Sequence, residues 1–449
     1  MYIPHTDPER EQMLAAVGKK ELEDLFTDIP IQYRFPDLDL PAALSEQEVL
    51  EEIELLASAN NTCKEFSSFL GGGAYHHYVP AAVDMILRRG DFFTAYTPYQ
   101  PEISQGTLQA VFEYQSLISN LTGMDVSNAS HYDGATASAE ACLSAFHHFR
   151  GKRKRFILSG SVNPQYRETI HTYLGALQDV DLLTSPGDPE LDDFDWIGEH
   201  LNEGTAIVML QYPDYFGRLC DYSRLSEQIH QEGSLLAVST YPIALGLCKP
   251  PSEFGADFVV GDGQPLGIPL NFGGPYLGFF ATKKELIRKI SGRLVGETKD
   301  VDGKRGYVLT LTAREQHIRR GKATSNICTN QGLMTLASTV YLSLLGKDGL
   351  KKVAELCYQK AHYTASEINS LEGFSINLTR PFFNEFVVKT PKPVSKINGY
   401  LLDNGYFGGI DLSVSYPDLA NNLLVAVTEM NSKEEIDQFV NLLAESNNG

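Results

Sequence analysis

The sequence predicts an α/β protein: a large domain on a parallel or mixed sheet over residues 61–325, then a smaller α+β domain over 326–449. Three observations carry this. Short, continuous apolar runs at 155–159, 206–212, 235–240, 257–260 and 276–282 alternate with helical stretches. Runs of that kind, rich in Val, Ile, Leu and Phe, are strands buried on both faces, and their alternation with helices marks a parallel or mixed sheet. An apolar-periodic stretch at 324–345 has the character of one helix linking two domains. Finally, a chain of 449 residues exceeds one ordinary domain.

Residues 1–60 precede this body as an arm. A helix is expected at 8–25, a proline-punctuated extended piece at 29–41, and a second helix at 45–59, where Ser45 and Glu48 have capping-box spacing. Next, Gly71, Gly72 and Gly73 stand beside Tyr75, His76, His77 and Tyr78. Three glycines permit close backbone approach and suit a ligand-proximal loop; a turn with partly exposed aromatics is the plain alternative. A metal role for His76 and His77 lacks a recognisable third ligand.

The loop 96–106 carries two stiffening prolines with Tyr96, Tyr99, Gln100 and Glu102. That density of phenol, amide and carboxylate on a rigid loop suits a binding wall. A structural loop in which Glu102 and Ser104 act as caps accounts for it equally. A helix at 107–122 anchors it. The hydroxyl-rich segment 132–140 opens another helix running to 149. Its free amides with Thr136 and Ser138 suit a phosphate, although small-residue helix starts are more often ordinary N-caps. Farther on, 314–326 gathers Arg314, His317, Arg319, Arg320 and Lys322, either to neutralise an anion or to complement a helix end. Two weaker strands at 385–390 and 423–427 precede an amphipathic helix at 432–443. Ile436, Phe439, Val440 and Leu443 share one of its faces, and Ser432 with Glu435 caps it.

Composition narrows the function classes. A formal charge of -20 argues against nucleic acid and anionic membrane as partners. It leaves phosphate ligands open, since backbone amides and local arginines bind them in acidic proteins. Six scattered cysteines without a C-x-x-C pair fit reduced thiols in the cytoplasm. The polar start MYIPHTDPEREQML is unlike a signal peptide, and the apolar run 235–247 is too short to span a bilayer. Signatures of α/β-hydrolases, zincins, P-loops and dinucleotide folds are missing.

Three segments together resemble a known family: YTPYQPEISQGTLQA at 96–110, VVGDGQPLGIPLNFGGPYLGFFA at 259–281 and TAREQHIRRGKATSNICTNQGL at 312–333. They are similar to the P-protein of the glycine cleavage system, a pyridoxal phosphate (PLP) enzyme of the aspartate aminotransferase-like fold type I. Some organisms make it as one chain of about twice this length and others split it; this chain resembles the N-terminal half, subunit 1 or α. The resemblance implies decarboxylation of glycine on PLP and transfer of the aminomethyl group to the lipoyl arm of H-protein. Subunit 2 is the implied partner, with T-protein and L-protein linked in function.

The same resemblance implies a division of labour. The family's Schiff-base lysine lies after a buried strand and before an Ile-Pro, glycine-rich stretch. Aligning Ile268-Pro269 with that pattern puts Gln264 in its place, and no lysine occurs between Lys249 and Lys283. Lys283 and Lys284 follow a strand and are expected to face solvent. The strand expected to carry an aspartate for the pyridine nitrogen ends Ser239-Thr240-Tyr241, without a carboxylate. PLP is therefore expected mainly on subunit 2, with Thr136 and Ser138 as candidate cofactor contacts in this chain. Tyr96, Tyr99, Gln100, Glu102, His76 and His77 are expected to wall a site completed at the subunit interface. Two alternatives stand beside this: a non-catalytic structural or regulatory subunit, and a self-sufficient PLP enzyme using another lysine such as Lys322.

Overall fold

The structure, a computed structural model, describes residues 4–271, 273–325 and 327–448. Phe272, in the glycine-rich crossing, and Asn326, at the expected domain boundary, lie outside the described residues. The chain forms two units, Met1–Asn61 and Thr62–Gly449.

The first unit holds helices α1 (Asp7–Ala16) and α2 (Glu46–Ser58). Thr6 and Glu9 close a capping box on α1, with the Thr6 amide donating to Glu9 Oε2 at 2.7 Å. The helix expected over 8–25 ends here instead, because Gly18 turns left-handed at φ 72°. The chain then resumes as a separate 3₁₀ turn, Leu22–Phe26. Helix α2 starts on the expected box, with the Ser45 amide donating to Glu48 Oε2 at 2.7 Å. No described residue of this unit is buried, and Ile31, Tyr33, Leu38, Leu40 and Leu55 are each 70–77% exposed.

The second unit runs through α3 (Gln105–Thr122), β1 (Val126–Ser127), α4 (Gly134–His148), β2 (Arg155–Leu158), α5 (Pro164–Leu174), β3 (Asp181–Thr184), α6 (Phe194–His200), β4 (Thr205–Tyr212), α7 (Ser223–Gln231), β5 (Leu235–Thr240), β6 (Phe258–Asp262) and β7 (Gly278–Thr282). These strands form a seven-stranded mixed sheet in the order β1-β7-β6-β5-β4-β2-β3. The inner pairs are parallel, and β6–β7 and β7–β1 are antiparallel. Burial on both faces explains the continuous apolar runs. Val208 and Leu210 pair with Leu236 and Val238 and face Tyr114 and Ile118 of α3. Ile207, Met209, Ala237 and Val260 face the opposite way, onto Ala137, Ala141 and Ala145 of α4. The small side chains of α4 let helix and sheet approach closely.

A hairpin follows, β8 (Leu294–Lys299) with β9 (Arg305–Thr310). It carries no continuous apolar run because only Leu294, Val295 and Tyr307 are buried. The helix expected at 324–345 is displaced: α8 spans Gly332–Asn369 and breaks at Gly346, φ 58°. Beyond α8 the main elements are β10 (Glu385–Lys389), α9 (Val394–Asp403), β11 (Ile410–Asp411), β12 (Asn422–Ala426) and α10 (Lys433–Asn448). They make an antiparallel sheet ordered β10-β12-β11, with its own core of Phe386, Ile397, Leu423, Phe439 and Leu443. Ser432 and Glu435 cap α10 as expected, with the Ser432 amide 2.7 Å from Glu435 Oε2.

Candidate functional site

At the ends of β5 and β6 the backbone turns toward the start of α4 and the loop 71–78. Gln264 lies just past β6 and is 1% exposed. Its amide nitrogen donates to Tyr75 O at 2.9 Å and Ile268 O at 2.8 Å, and its oxygen accepts from Tyr75 N at 2.9 Å. Both donor hydrogens and the acceptor are thus engaged, and the side chain pins the glycine-rich loop to the sheet.

The start of α4 is already capped by carboxylates. Asp133 Oδ1 accepts from Thr136 N at 2.7 Å and from Thr136 Oγ1 at 2.9 Å. Asp262 accepts from Gly134 N at 3.0 Å through Oδ2 and from Gln264 N at 2.8 Å through Oδ1. A side chain at Gly134 would meet Tyr166 Oη at 2.3 Å and Asp262 N at 2.8 Å, so glycine is required for that approach. Burial pushes the Asp262 carboxyl up to about 7, against the pull of the two amides. The Ser138 hydroxyl donates to Gly134 O at 2.8 Å, within the helix. The hydroxyls of Thr136 and Ser138, expected at a phosphate, are therefore both engaged inside their own helix start.

What remains is a cavity of about 30 Å³ lined by Tyr75, Tyr166, Ser239, Thr240, Tyr241 and Asp262. Tyr75 packs on Tyr241 with ring centroids 4.3 Å apart. That volume suits about one water, and two carboxylates at the helix start oppose a phosphate dianion. The residues present do not fit PLP in this pocket.

Loop 71–78 is fastened by two more carboxylates. Glu385 accepts from Gly72 N at 2.7 Å and Tyr75 Oη at 2.7 Å, and its burial raises the carboxyl to about 7. Glu429 accepts from Tyr78 N at 2.8 Å and lies 2.7 Å from His77 Nδ1. Burial opposes ionisation of Glu429, but the His77 and Tyr78 bonds prevail and hold it below the usual carboxylate range. His77, expected on an open wall, is 6% exposed, and its Nε2 bonds to Tyr241 Oη. His76 is half-buried, and desolvation together with the neighbouring His77 lowers its pKa. Among the described residues, His77, Cys357 and Glu429 bring ligand atoms within 4.8 Å of one another. Both nitrogens of His77 are already engaged in hydrogen bonds, and His76 is not part of this group.

Glu385 also makes a pH prediction. Its carboxyl keeps its proton to about pH 7 in the fold but loses it near 4.5 when unfolded. Its contribution is therefore complete below pH 4.5 and is lost as pH rises through 7. Glu385→Gln keeps an acceptor but no titration, so its urea midpoint should fall less than that of the natural chain between roughly pH 5 and 7.5. Equal falls would refute this assignment.

A second group gathers on the surface. Tyr96 and Tyr99 are 74% and 44% exposed, and Gln100 and Glu102 are exposed on the same turn. Gln105 clamps this loop to the hairpin: its Nε2 donates to Pro101 O at 2.7 Å and Tyr307 O at 2.8 Å, and its Oε1 accepts from Tyr307 N at 2.9 Å. Behind Tyr96 lies a cavity of about 130 Å³, mostly apolar, lined by Phe92, Pro98, Val111, Leu336 and Arg293. The Arg293 side chain donates to Tyr99 Oη at 2.8 Å and to Cys328 O. Burial alone would raise the Cys328 thiol, but bonding to Arg293 and Thr329 draws it below the usual range. Arg314 donates to Gly292 O at 3.0 Å and to Leu311 O at 3.2 Å, so it ties loops rather than an anion. Lys283, expected in solvent, is half-buried and paired with Asp257, whereas Lys284 is exposed.

The expected wall thus divides in two. Tyr96, Tyr99, Gln100 and Glu102 share one exposed turn, while His76 and His77 belong to the fastening of loop 71–78. Arg293, Glu385 and Glu429 escaped sequence reading, since a charged side chain whose partners lie far along the chain carries no spacing signal. Asp133, one residue before a glycine-led helix, was legible as an N-cap.

Comparison with known proteins agrees over the whole chain. The family model of the glycine cleavage system P-protein matches residues 1–443. The chain is 51% identical to a probable glycine dehydrogenase (decarboxylating) subunit 1 of Thermomicrobium roseum, covering 99% of both chains. Identity to the protein of the same name from Geobacillus kaustophilus is 50%, over 99% of this chain and 98% of that one. A crystal structure of glycine decarboxylase (P-protein) of the glycine cleavage system, in inhibitor-bound form, superposes with a TM-score of 0.91 at 42% identity, covering 99% of this chain and 100% of the other. A glutamate decarboxylase from Lactobacillus brevis shares the fold at a TM-score of 0.70 and 13% identity, over 93% of this chain and 96% of the other. The fold is that of the PLP-dependent fold type I enzymes. By sequence over its full length and by fold, the chain belongs to the P-protein family of the glycine cleavage system, as a member of the subunit 1 type.

Proposed function

We propose that this chain completes a glycine decarboxylase active site whose PLP and Schiff-base lysine come from subunit 2. The observation that carries this reading is the state of Gln264. Gln264 stands where the lysine is expected and is committed to three hydrogen bonds; an amide forms no Schiff base. The end of β5, Ser239-Thr240, offers no carboxylate for a pyridine nitrogen. In the complex, glycine loses CO2 and the aminomethyl group passes to the lipoyl group of H-protein, with T-protein and L-protein acting around it.

On this reading the chain contributes positioning and exclusion of water. Tyr96 and Tyr99 present rings, and Gln100 and Glu102 present polar groups, at the face that meets subunit 2. The unburied apolar side chains of residues 4–61 supply a second contact with that partner, since exposed apolar surface on this scale marks an interaction site. Cytoplasmic placement is supported by six unpaired cysteines. No helix among the described residues is long and apolar enough to cross a membrane.

The test is reconstitution. The isolated chain mixed with PLP should show no protein-bound aldimine absorbance and no exchange of bicarbonate into glycine. Adding subunit 2 and H-protein should produce both. Exchange by the chain alone, or a lysine of this chain labelled after borohydride treatment, would overturn the proposal. Lys322, the alternative nucleophile, is exposed on a 3₁₀ turn.

A further inference from the structure

Arg293 is the residue on which the exposed wall converges. It lies immediately before β8 and is 3% exposed. Nη2 donates to Tyr99 Oη at 2.8 Å, and Nη1 donates to Cys328 O and, at 3.4 Å, to Asn330 Oδ1. Nε lies 3.3 Å from Glu315 Oε2. The guanidinium carbon also sits 5.2 Å from the centroid of the Tyr99 ring. Asn330 in turn donates to Ser130 Oγ at 2.7 Å, and the Arg293 carbonyl accepts from Ala129 N at 2.8 Å.

The contacts close on themselves. Glu315 Oε2 also lies 3.5 Å from His317 Nδ1, and the His317 ring meets Tyr99 edge-on at 5.4 Å and 68°. Arg293, Tyr99, His317 and Glu315 form a ring in which one buried carboxylate balances one buried guanidinium. The same side chain therefore joins the 96–104 turn, the 328–330 segment and the Glu315 turn at the hairpin's base. A planar fork with five N–H donors reaches these partners at once, whereas an ammonium is a point charge on a flexible stem. Asn330 gives the 328–330 segment a second buried anchor at Ser130, whereas the Tyr99 hydroxyl takes its charge-assisted hydrogen bond from Arg293.

We propose that Arg293 is a positioning residue for the decarboxylase: its fork sets the Tyr99 ring and the Cys328–Asn330 backbone at the mouth of the apolar cavity, where the lipoyl arm of H-protein is received. This rests on the reading that the 96–104 turn lines the shared active site. Arg293 touches no reacting atom; it acts through the two segments it holds. Because glycine reacts on the PLP of subunit 2 in the proposed complex while Arg293 holds this chain's exposed turn, its loss separates the two substrates kinetically.

The experiment uses the complex with subunit 2 and lipoylated H-protein, after co-elution has confirmed assembly. R293Q should raise KM for H-protein about tenfold, the ratio expected for one charge-assisted hydrogen bond, and leave KM for glycine within about twofold. R293K should not rescue it, because charge without the fork cannot hold both segments. Y99F should slow the natural complex yet add nothing to R293Q, since the ring is already released. Rescue by lysine, multiplicative effects in R293Q/Y99F, or an equal rise in KM for glycine would overturn the inference. If Y99F slows the reaction and R293Q does not, Arg293 alone is misassigned; if neither changes any parameter, the reading of the 96–104 turn fails as well. Where R293Q does not co-elute, R293K carries the same cycle with the same two outcomes.

Discussion

Replacing Gln264 with lysine is expected to leave the isolated chain without cofactor absorbance or glycine decarboxylation, and to destabilise it. The new ammonium would enter a position that is 1% exposed. Tyr75 N would lose its acceptor, and the loop 71–78 would lose its tie to the sheet. An unpaired buried amide and a desolvated charge together cost about 2–5 kcal/mol, so thermal unfolding should move down by many degrees. Chemistry would remain out of reach for three independent reasons. The cavity holds about 30 Å³; Asp133 and Asp262 cap the helix start where a phosphate would dock; and β5 ends without a carboxylate. Decarboxylation by this variant in the absence of subunit 2 would overturn the account of the pocket.

Deleting residues 1–61 is expected to weaken association with subunit 2 by at least about a hundredfold while the remainder keeps its cooperative unfolding. The second unit has its own cores on both faces of the large sheet and around β10–β12. The first has no buried residue among those described, and Ile31, Leu38 and Leu40 expose most of their surface. Covering as little as about 200 Å² of such surface contributes roughly 5 kcal/mol at 25 cal/mol per Å², of which only part survives the ordering cost of the arm. Sedimentation or co-elution across a concentration series measures this. Unchanged affinity after the deletion would remove the arm from the interface.

The strands of the large sheet were legible because burial on both faces leaves a one-dimensional trace: Ala206 to Leu210 and Leu236 to Val238 are fully buried. Caps were legible for the same reason, as Ser45 with Glu48 and Ser432 with Glu435 act within four residues. The helix over 8–25 was overextended because Gly18 is compatible with a helix in composition and breaks it only by adopting φ 72°. Helix α8 starts later than the apolar period predicts because Ser325 and Asn330 bind Glu140, Arg293 and Ser130 instead of extending a helix. The edge strand β3 and the hairpin β8–β9 escaped because half-buried strands lack continuous apolar runs.

The sequence by itself determined the family, the α/β architecture, the absence of a lysine between Lys249 and Lys283, and the clustering of Tyr96, Tyr99, Gln100 and Glu102 on one turn. Only the tertiary structure decided which groups close the pocket and which face outward. Asp262 meets Gly134 across 128 residues, Gln264 meets Tyr75 across 189, and Arg293 meets Tyr99 across 194. Each is a single polar side chain whose partner is a backbone atom or a phenol far along the chain. Local periodicity records which face of an element is buried; it carries no trace of the hydrogen bond that a lone buried charge or amide requires, because that requirement is met in space and not in sequence.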